Sequence, residues 1–287
     1  THEASSEDYN AGLPLARAPI GTLPSRIEES QPAMDRWAAF VRERFMPADA
    51  SLKARLYRRL PQPLRTRWRR LKTRGGPSPQ PLAFQPVSRA FGFDRGTPID
   101  RLYIERFLQA NSAHITGRVM EVGDDRYTIR FGHAPLEPIV LVHGGDRRPN
   151  GRAGDLTRPE TLPDQELDAF ICTQVLNFIP DPRAAIRGLH AALRPGGTAL
   201  VTVAGLSQRS RHDADRWGDY WRFMPQGIER LFSEAFRPGR FDAIAYGNSY
   251  AAACLMKGFA AEECDERLLF EPDSDYPVVI AIKATKG

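Results

Sequence analysis

Apolar positions along this chain follow two regimes that meet near residue 80. Before it they recur at helical steps, as Met34, Trp37, Val41 and Phe45, then as Leu52, Leu56 and Leu60. Steps of three and four residues stack side chains on one helix face, so short amphipathic helices are expected, broken at Pro61-Gln-Pro63. The stretch Gly75-Gly-Pro-Ser-Pro-Gln-Pro81 supports no regular element and marks a domain boundary. Beyond it, Thr97-Pro98-Ile99-Asp100 reads as a helix start with Thr97 at the N-cap, and Ile99, Tyr103 and Phe107 form one apolar stripe. Short continuous apolar runs then follow at 118–123, 139–143, 167–175, 198–204, 241–246 and 276–284. Helical or loop stretches separate them, the clearest a helix over 182–193 stopped by Arg194-Pro-Gly-Gly197. Strands alternating with helices predict an α/β domain with a mostly parallel sheet.

Composition sharpens this outline. At 287 residues and 41% apolar content, the chain has enough material for one core domain and an extension. The formal charge of +5 is unevenly distributed. Residues 53–74 hold ten Lys and Arg and no acid, which leaves 30 basic against 35 acidic residues elsewhere. The expected organisation is a basic, partly helical extension and linker over 1–80 and an α/β domain over 81–287. A solvated helix face accounts for such a run, and so does an anionic partner or membrane surface. No nucleic-acid motif accompanies it. Three cysteines without a C-x-x-C pair make neither a disulfide framework nor a zinc site, and no metal is expected. No run approaches the ~18 apolar residues of a membrane span, and the first residues do not read as a signal peptide, so a cytoplasmic protein is expected.

The segment 167–203, LDAFICTQVLNFIPDPRAAIRGLHAALRPGGTALVTV, is the most particular. Physically it is a buried strand, a loop, a helix, a Pro-Gly-Gly turn and another buried strand. In that order and spacing it resembles strand four, the following helix and strand five of the class I S-adenosylmethionine-dependent methyltransferases, small-molecule branch. In the same register Arg118-Val-Met-Glu-Val-Gly123 resembles strand one with its glycine loop. FGFDRGTPIDRLYIERFL and DRWGDYWRF resemble a bacterial subgroup often associated with glycosyltransferases or natural-product clusters. The resemblance implies a Rossmann-like seven-stranded sheet with helices on both faces, its last strand antiparallel. It also implies S-adenosylmethionine as cofactor and methyl transfer to a small acceptor, a sugar hydroxyl or natural-product intermediate.

Site residues follow from the same register. Glu121, Gly123, Asp125, Asp155, Leu156 and Tyr103 are implied for the cofactor, with His143 at the ribose hydroxyls. The family's G-x-G-x-G is degenerate here, because Asp125 and Tyr127 replace the second and third glycines. Asp125 tolerates positive φ better than most residues, and it either pairs with the cofactor's ammonium or repels its carboxylate. Glu121 is expected to cap loop N–H groups or the cofactor amine. The loop after strand five overhangs the carboxyl ends of the strands, where ligands bind in such sheets. Its Trp217, Tyr220, Trp221 and Arg222 suit a substrate lid. A base for an acceptor hydroxyl is sought in His212, which titrates near neutrality, or Asp219, with pure positioning as the third option. The degenerate loop keeps a second function open: a methyltransferase-fold protein that no longer methylates, acting as a binding module or in cyclisation or isomerisation.

Overall fold

The computed structural model describes residues 85–142 and 148–287. The basic run 53–74, the boundary near residue 80 and His143 lie outside the described residues. Seven strands form one sheet in the order β3-β2-β1-β4-β5-β7-β6. They are β1 (Gly117–Val122), β2 (Leu136–Val142), β3 (Gly151–Ala153), β4 (Leu167–Thr173), β5 (Leu193–Ala204), β6 (Phe241–Tyr246) and β7 (Val279–Thr285). The first five run parallel, while β7 is antiparallel to both β5 and β6. This is the Rossmann-like methyltransferase sheet expected above. The one strand that no apolar run announced is β3, three residues read as Gly-Arg-Ala.

Strand side chains alternate between two cores, as the period of two requires. Phe170, Cys172, Val201, Val203, Ile280 and Ile282 face α3 (Pro182–Ala192) and α5 (Pro225–Ser233). Ala169, Ile171, Leu200, Val279 and Ala281 face α1 (Ile99–Ala110) and α6 (Ser249–Lys257). Shorter helices are α2 (Arg126–Phe131), α4 (Arg211–Ala214) and α7 (Glu266–Leu269). Asp181 caps α3 by accepting from Ala184 N, and Pro182 occupies its first turn. Thr97 does not cap α1 as expected. Pro98 holds that place, and the Thr97 hydroxyl donates to Glu262 Oε1 at 2.7 Å. A longer-range tie therefore fixes the approach to α1. Arg95 makes a two-pronged ion pair with Glu263, and Val87 N donates to Lys257 O at 2.8 Å. This lays Phe91 and Phe93 beside the carboxyl ends of β4 and β5, where both help line a cavity.

Candidate active site

The loop from β1 to α2 keeps one glycine where one is needed. Gly123 has φ of +88°, a left-handed conformation open to glycine at little cost. Asp125 has φ of −114°, so replacing the second glycine strains nothing, and tolerance of positive φ is not called on. Its carboxylate accepts from Asn150 Nδ2 at 2.8 Å, tying the loop to the residue before β3. Tyr127 turns inward to stack on Phe131, and its hydroxyl accepts from Arg101 Nη1. Glu121, 3% exposed, takes the first of its two expected roles. Its carboxylate accepts from Thr128 N and Thr128 Oγ1, both at 2.8 Å, and from Tyr127 N at 3.3 Å. Burial pushes its pKa up to about 8, against the downward pull of the Thr128 hydrogen bonds. The loop thus satisfies its own polar groups and retains the left-handed turn, and in that respect it fits the cofactor.

After β3 the chain turns at Asp155. Its Oδ1 accepts from Thr157 N and Thr157 Oγ1, each at 2.8 Å, so the carboxylate is engaged in a local turn. Leu156 is buried in the core, and its carbonyl oxygen would stand 2.0 Å from a Cβ built on Gly188 of α3. Tyr103 corrects the cofactor set. It is 1% exposed, donates its hydroxyl to Leu269 O at 2.5 Å and stacks on Tyr246, so no face is left for a ligand.

The segment after β5 is held by its polar residues, and this corrects the assignment of Asp219. The Asp219 side chain is 1% exposed and accepts from Arg222 Nη1 at 2.5 Å, Arg222 Nη2 at 2.8 Å and Ser210 N at 2.8 Å. A carboxylate so engaged braces the lid and is not placed to take a substrate proton. Arg222 in turn donates to the carbonyls of Gln208 and Trp221, so it holds the loop while it also lines the cavity. Tyr220 and Trp221 are 50% and 41% exposed. Their polar ends donate inward, Tyr220 Oη to Trp217 O at 3.0 Å and Trp221 Nε1 to Ile179 O at 2.9 Å. The rings are therefore presented at fixed orientations. His212 sits edge-on to Trp217, its Nδ1 3.5 Å from Oδ1 of the fully buried Asp213. Asp213 Oδ2 accepts from Ser210 Oγ at 2.6 Å.

A cavity of about 50 Å³ lies beneath this lid, at the carboxyl ends of β4 and β5. Gln174, Asn177 and Ala204 line it from the strand ends, Asp213 and Arg222 from the lid, and Asp100 and Arg101 from α1. His212 and Asp219 are not among the described residues that line it. Sequence reasoning missed Gln174, Asn177, Asp213 and Arg101. Asn177 joins three pieces: its Oδ1 accepts from Ala204 N, its Nδ2 donates to Gln174 Oε1, and its carbonyl accepts from Tyr220 N and Trp221 N. A polar residue interrupting the apolar 167–179 run was the one available signal.

A family model described as a methyltransferase domain matches residues 84–238. The ubiquinone biosynthesis O-methyltransferase of Psychrobacter cryohalolentis is 20% identical over 157 residues, covering 54% of this chain and 52% of that protein. The chain thus spans about half the length of that curated relative. Among solved structures, the CurJ carbon methyltransferase aligns with a TM-score of 0.46 at 14% identity, over 90% of this chain and 72% of that one. The [4+2]-cyclase SpnF aligns with a TM-score of 0.43 at 17% identity, over 77% of this chain and 92% of that one.

Proposed function

This chain belongs to the methyltransferase-domain family, and on that premise we propose that it methylates an oxygen of a small acceptor, a sugar hydroxyl or natural-product intermediate. The observation that carries the proposal is the cavity at the β4 and β5 ends, which the segment after β5 lines with Ser210, Asp213 and Arg222 and which Arg101 links to α2 through Tyr127. Bound S-adenosylmethionine supplies a methyl group on a positive sulfonium, open to in-line attack. Gly123, Asp125 and Asp155 are the residues of this chain that would hold it, with Glu121 keeping the loop in shape. Trp217, Tyr220 and Trp221 offer flat faces to the acceptor. For its proton, the reading uses Asp213, which lines the cavity, with the partly exposed His212 as its outlet to solvent.

The experiment uses methyl-labelled S-adenosylmethionine with panels of sugars and phenolic intermediates. The expected result is label on an acceptor oxygen together with S-adenosylhomocysteine. Asp213→Asn should lower kcat roughly 100-fold while leaving S-adenosylhomocysteine affinity in place. No binding of S-adenosylhomocysteine by calorimetry would overturn the proposal. In that event a second reading stands, in which the fold binds or rearranges a ligand without methyl transfer. We further propose that residues 53–74 meet an anionic partner or membrane surface, an association that should weaken with added salt.

A further inference from the structure

Two of the three cysteines, Cys254 and Cys264, are brought together by the turn that ends α6. Cys254 lies on the buried face of α6 and is 1% exposed. Gly258, with φ of +77°, reverses the chain, and Phe259 N donates back to Cys254 O at 3.0 Å. The chain returns through 261–263, where Cys264 N donates to Ala261 O at 3.2 Å. Cys264 is half-buried and packs on the core cluster that contains Cys254. Tyr250, one helical turn before Cys254, closes the group, its hydroxyl accepting from Asp265 N at 3.1 Å. Both thiols are free.

The side chains of Cys254, Cys264 and Tyr250 hydrogen-bond one another. The Cys264 thiol holds Cys254 below the usual thiol range by donating to it, and the Tyr250 hydroxyl adds to this while burial opposes both. Cys264 is raised in turn, first because its proton is held in that bond and then by burial. One proton removed from the pair therefore leaves its charge on Cys254. Cys172 is the contrast: it is fully buried in β4, and burial alone pushes its thiol up to about 12.

We propose that Cys254 and Cys264 form a reversible disulfide with a small hydroperoxide as oxidant, and that the link fixes one wall of the cavity. The half-buried Cys264 is the sulfur that the oxidant reaches. It attacks a peroxide oxygen while the Cys254 thiolate takes its proton. The O–O bond breaks, and the leaving oxygen departs and is protonated by water. The Cys254 sulfur then attacks the sulfenic acid formed on Cys264. The S–O bond breaks, the S–S bond forms, and the Cys254 proton leaves with the hydroxyl as water. The two thiols supply the two electrons that the peroxide accepts. The disulfide ties α6 to the segment that anchors the approach to α1. There Ala261 N donates to Thr97 O at 2.8 Å, Glu262 accepts from Thr97 N at 2.9 Å, and Glu263 pairs with Arg95. Leu255, next to Cys254, lines the cavity together with Phe91, Phe93 and Arg101. None of this chemistry depends on methyl transfer.

The test is peptide mapping of the full chain, treated with hydrogen peroxide while folded and then blocked at its remaining thiols. Lys257 stands between the two cysteines, so trypsin releases them in separate peptides unless a disulfide joins them. The expected product is the joined pair, about 2 Da lighter than its two parts and separated by dithiothreitol, with Cys172 still a free thiol. Deuterium exchange over 95–101 should slow about 3-fold or more in the oxidised protein and recover on reduction. Cys264→Ser, at the half-buried position, should abolish both the joined peptide and the peroxide effect on exchange. Cys254→Ser should do the same, its folding checked by a melting curve. If either variant does not fold, the other and the wild-type map decide. No joined peptide from folded wild type, or one formed only in urea, would overturn the disulfide. A joined peptide with unchanged exchange over 95–101 would overturn its hold on the cavity wall.

Discussion

The β1–β3 end of the sheet and the β4–β5 end solve the same problem with different partners. Each must hold a loop and a buried carboxylate at or beyond the carboxyl ends of the strands, Glu121 within β1 and Asp219 past β5. At the first, Glu121 is held by two N–H groups and a hydroxyl, all neutral, and burial raises its pKa to about 8. At the second, Asp219 is held by the two-pronged guanidinium of Arg222 together with Ser210 N. Burial among neutral donors lets Glu121 hold its proton to higher pH, whereas Asp219 is tied by a two-pronged ion pair to Arg222. The first region is thus a frame that feels pH, and the second a brace that feels the loss of single side chains.

The comparison can be broken most severely at Gly188. An added methyl there would stand 2.0 Å from Leu156 O, so Gly188→Ala must push α3 away from the turn after β3. A loss of roughly 3 kcal/mol or more is expected from overpacking against backbone, read as a large drop in Tm.

The next effect in size belongs to Glu121. The folded state keeps its proton up to about pH 8, whereas the unfolded chain releases it in the ordinary carboxylate range. Its contribution is therefore complete below that range and is lost as pH rises towards 8. Stability from this group should fall by roughly 3 kcal/mol over the window, and Glu121→Gln should flatten the slope. Melting curves from pH 5 to 8.5 that rise with pH for the wild type, or that match in slope for the variant, would contradict this.

Asn177→Ala tests the other end. It strands the Ala204 N–H in a buried place and removes the partner of Gln174 Oε1, at about 2 kcal/mol. Hydrogen exchange should quicken at Tyr220 and Trp221 and stay unchanged at Thr128. Equal quickening at both ends would show that the two regions are one unit. The smallest effect is expected for Asp125→Gly. With φ already ordinary, glycine relieves no strain, and the loss of the Asn150 bond together with backbone entropy should cost about 1 kcal/mol. S-adenosylhomocysteine affinity should move by less than about 3-fold. A large gain would mean that the acid obstructs the cofactor.

Much of the fold was legible because burial writes itself into periodicity. The 167–204 segment gave β4, α3 and β5 within a few residues, since both strands are buried on both faces and Asp181-Pro182 announces the helix. The three-residue β3 left no trace, because Gly151-Arg152-Ala153 has no apolar side to bury. The antiparallel β7 came only from family resemblance, since strand direction has no signature in apolar order. The site was harder. Tyr103 lay on the helical stripe, which correctly marked it as core before resemblance moved it to the cofactor. Aspartates of the lid look alike in sequence. What separates Asp219 from Asp213 is that one meets Arg222 and the other faces a cavity, and both follow from the path of a loop that carries no period. Gln174 and Asn177 showed only as polar interruptions of the apolar run, since their roles rest on hydrogen bonds to partners across the chain.

The placement of β7 between β5 and β6 also sets an order of events during synthesis. β6 ends at Tyr246 but its one neighbour in the sheet begins at Val279, so β6 leaves the ribosome with nothing to pair against. Until β7 arrives, β5 shows an open edge whose residues from Thr198 to Ala204 are all buried in the finished sheet. An unpaired apolar edge invites pairing with a neighbouring chain. Changes that slow the insertion of β7 should therefore appear first as lost soluble yield and chaperone dependence, while the protein that does finish folding melts at nearly its usual temperature.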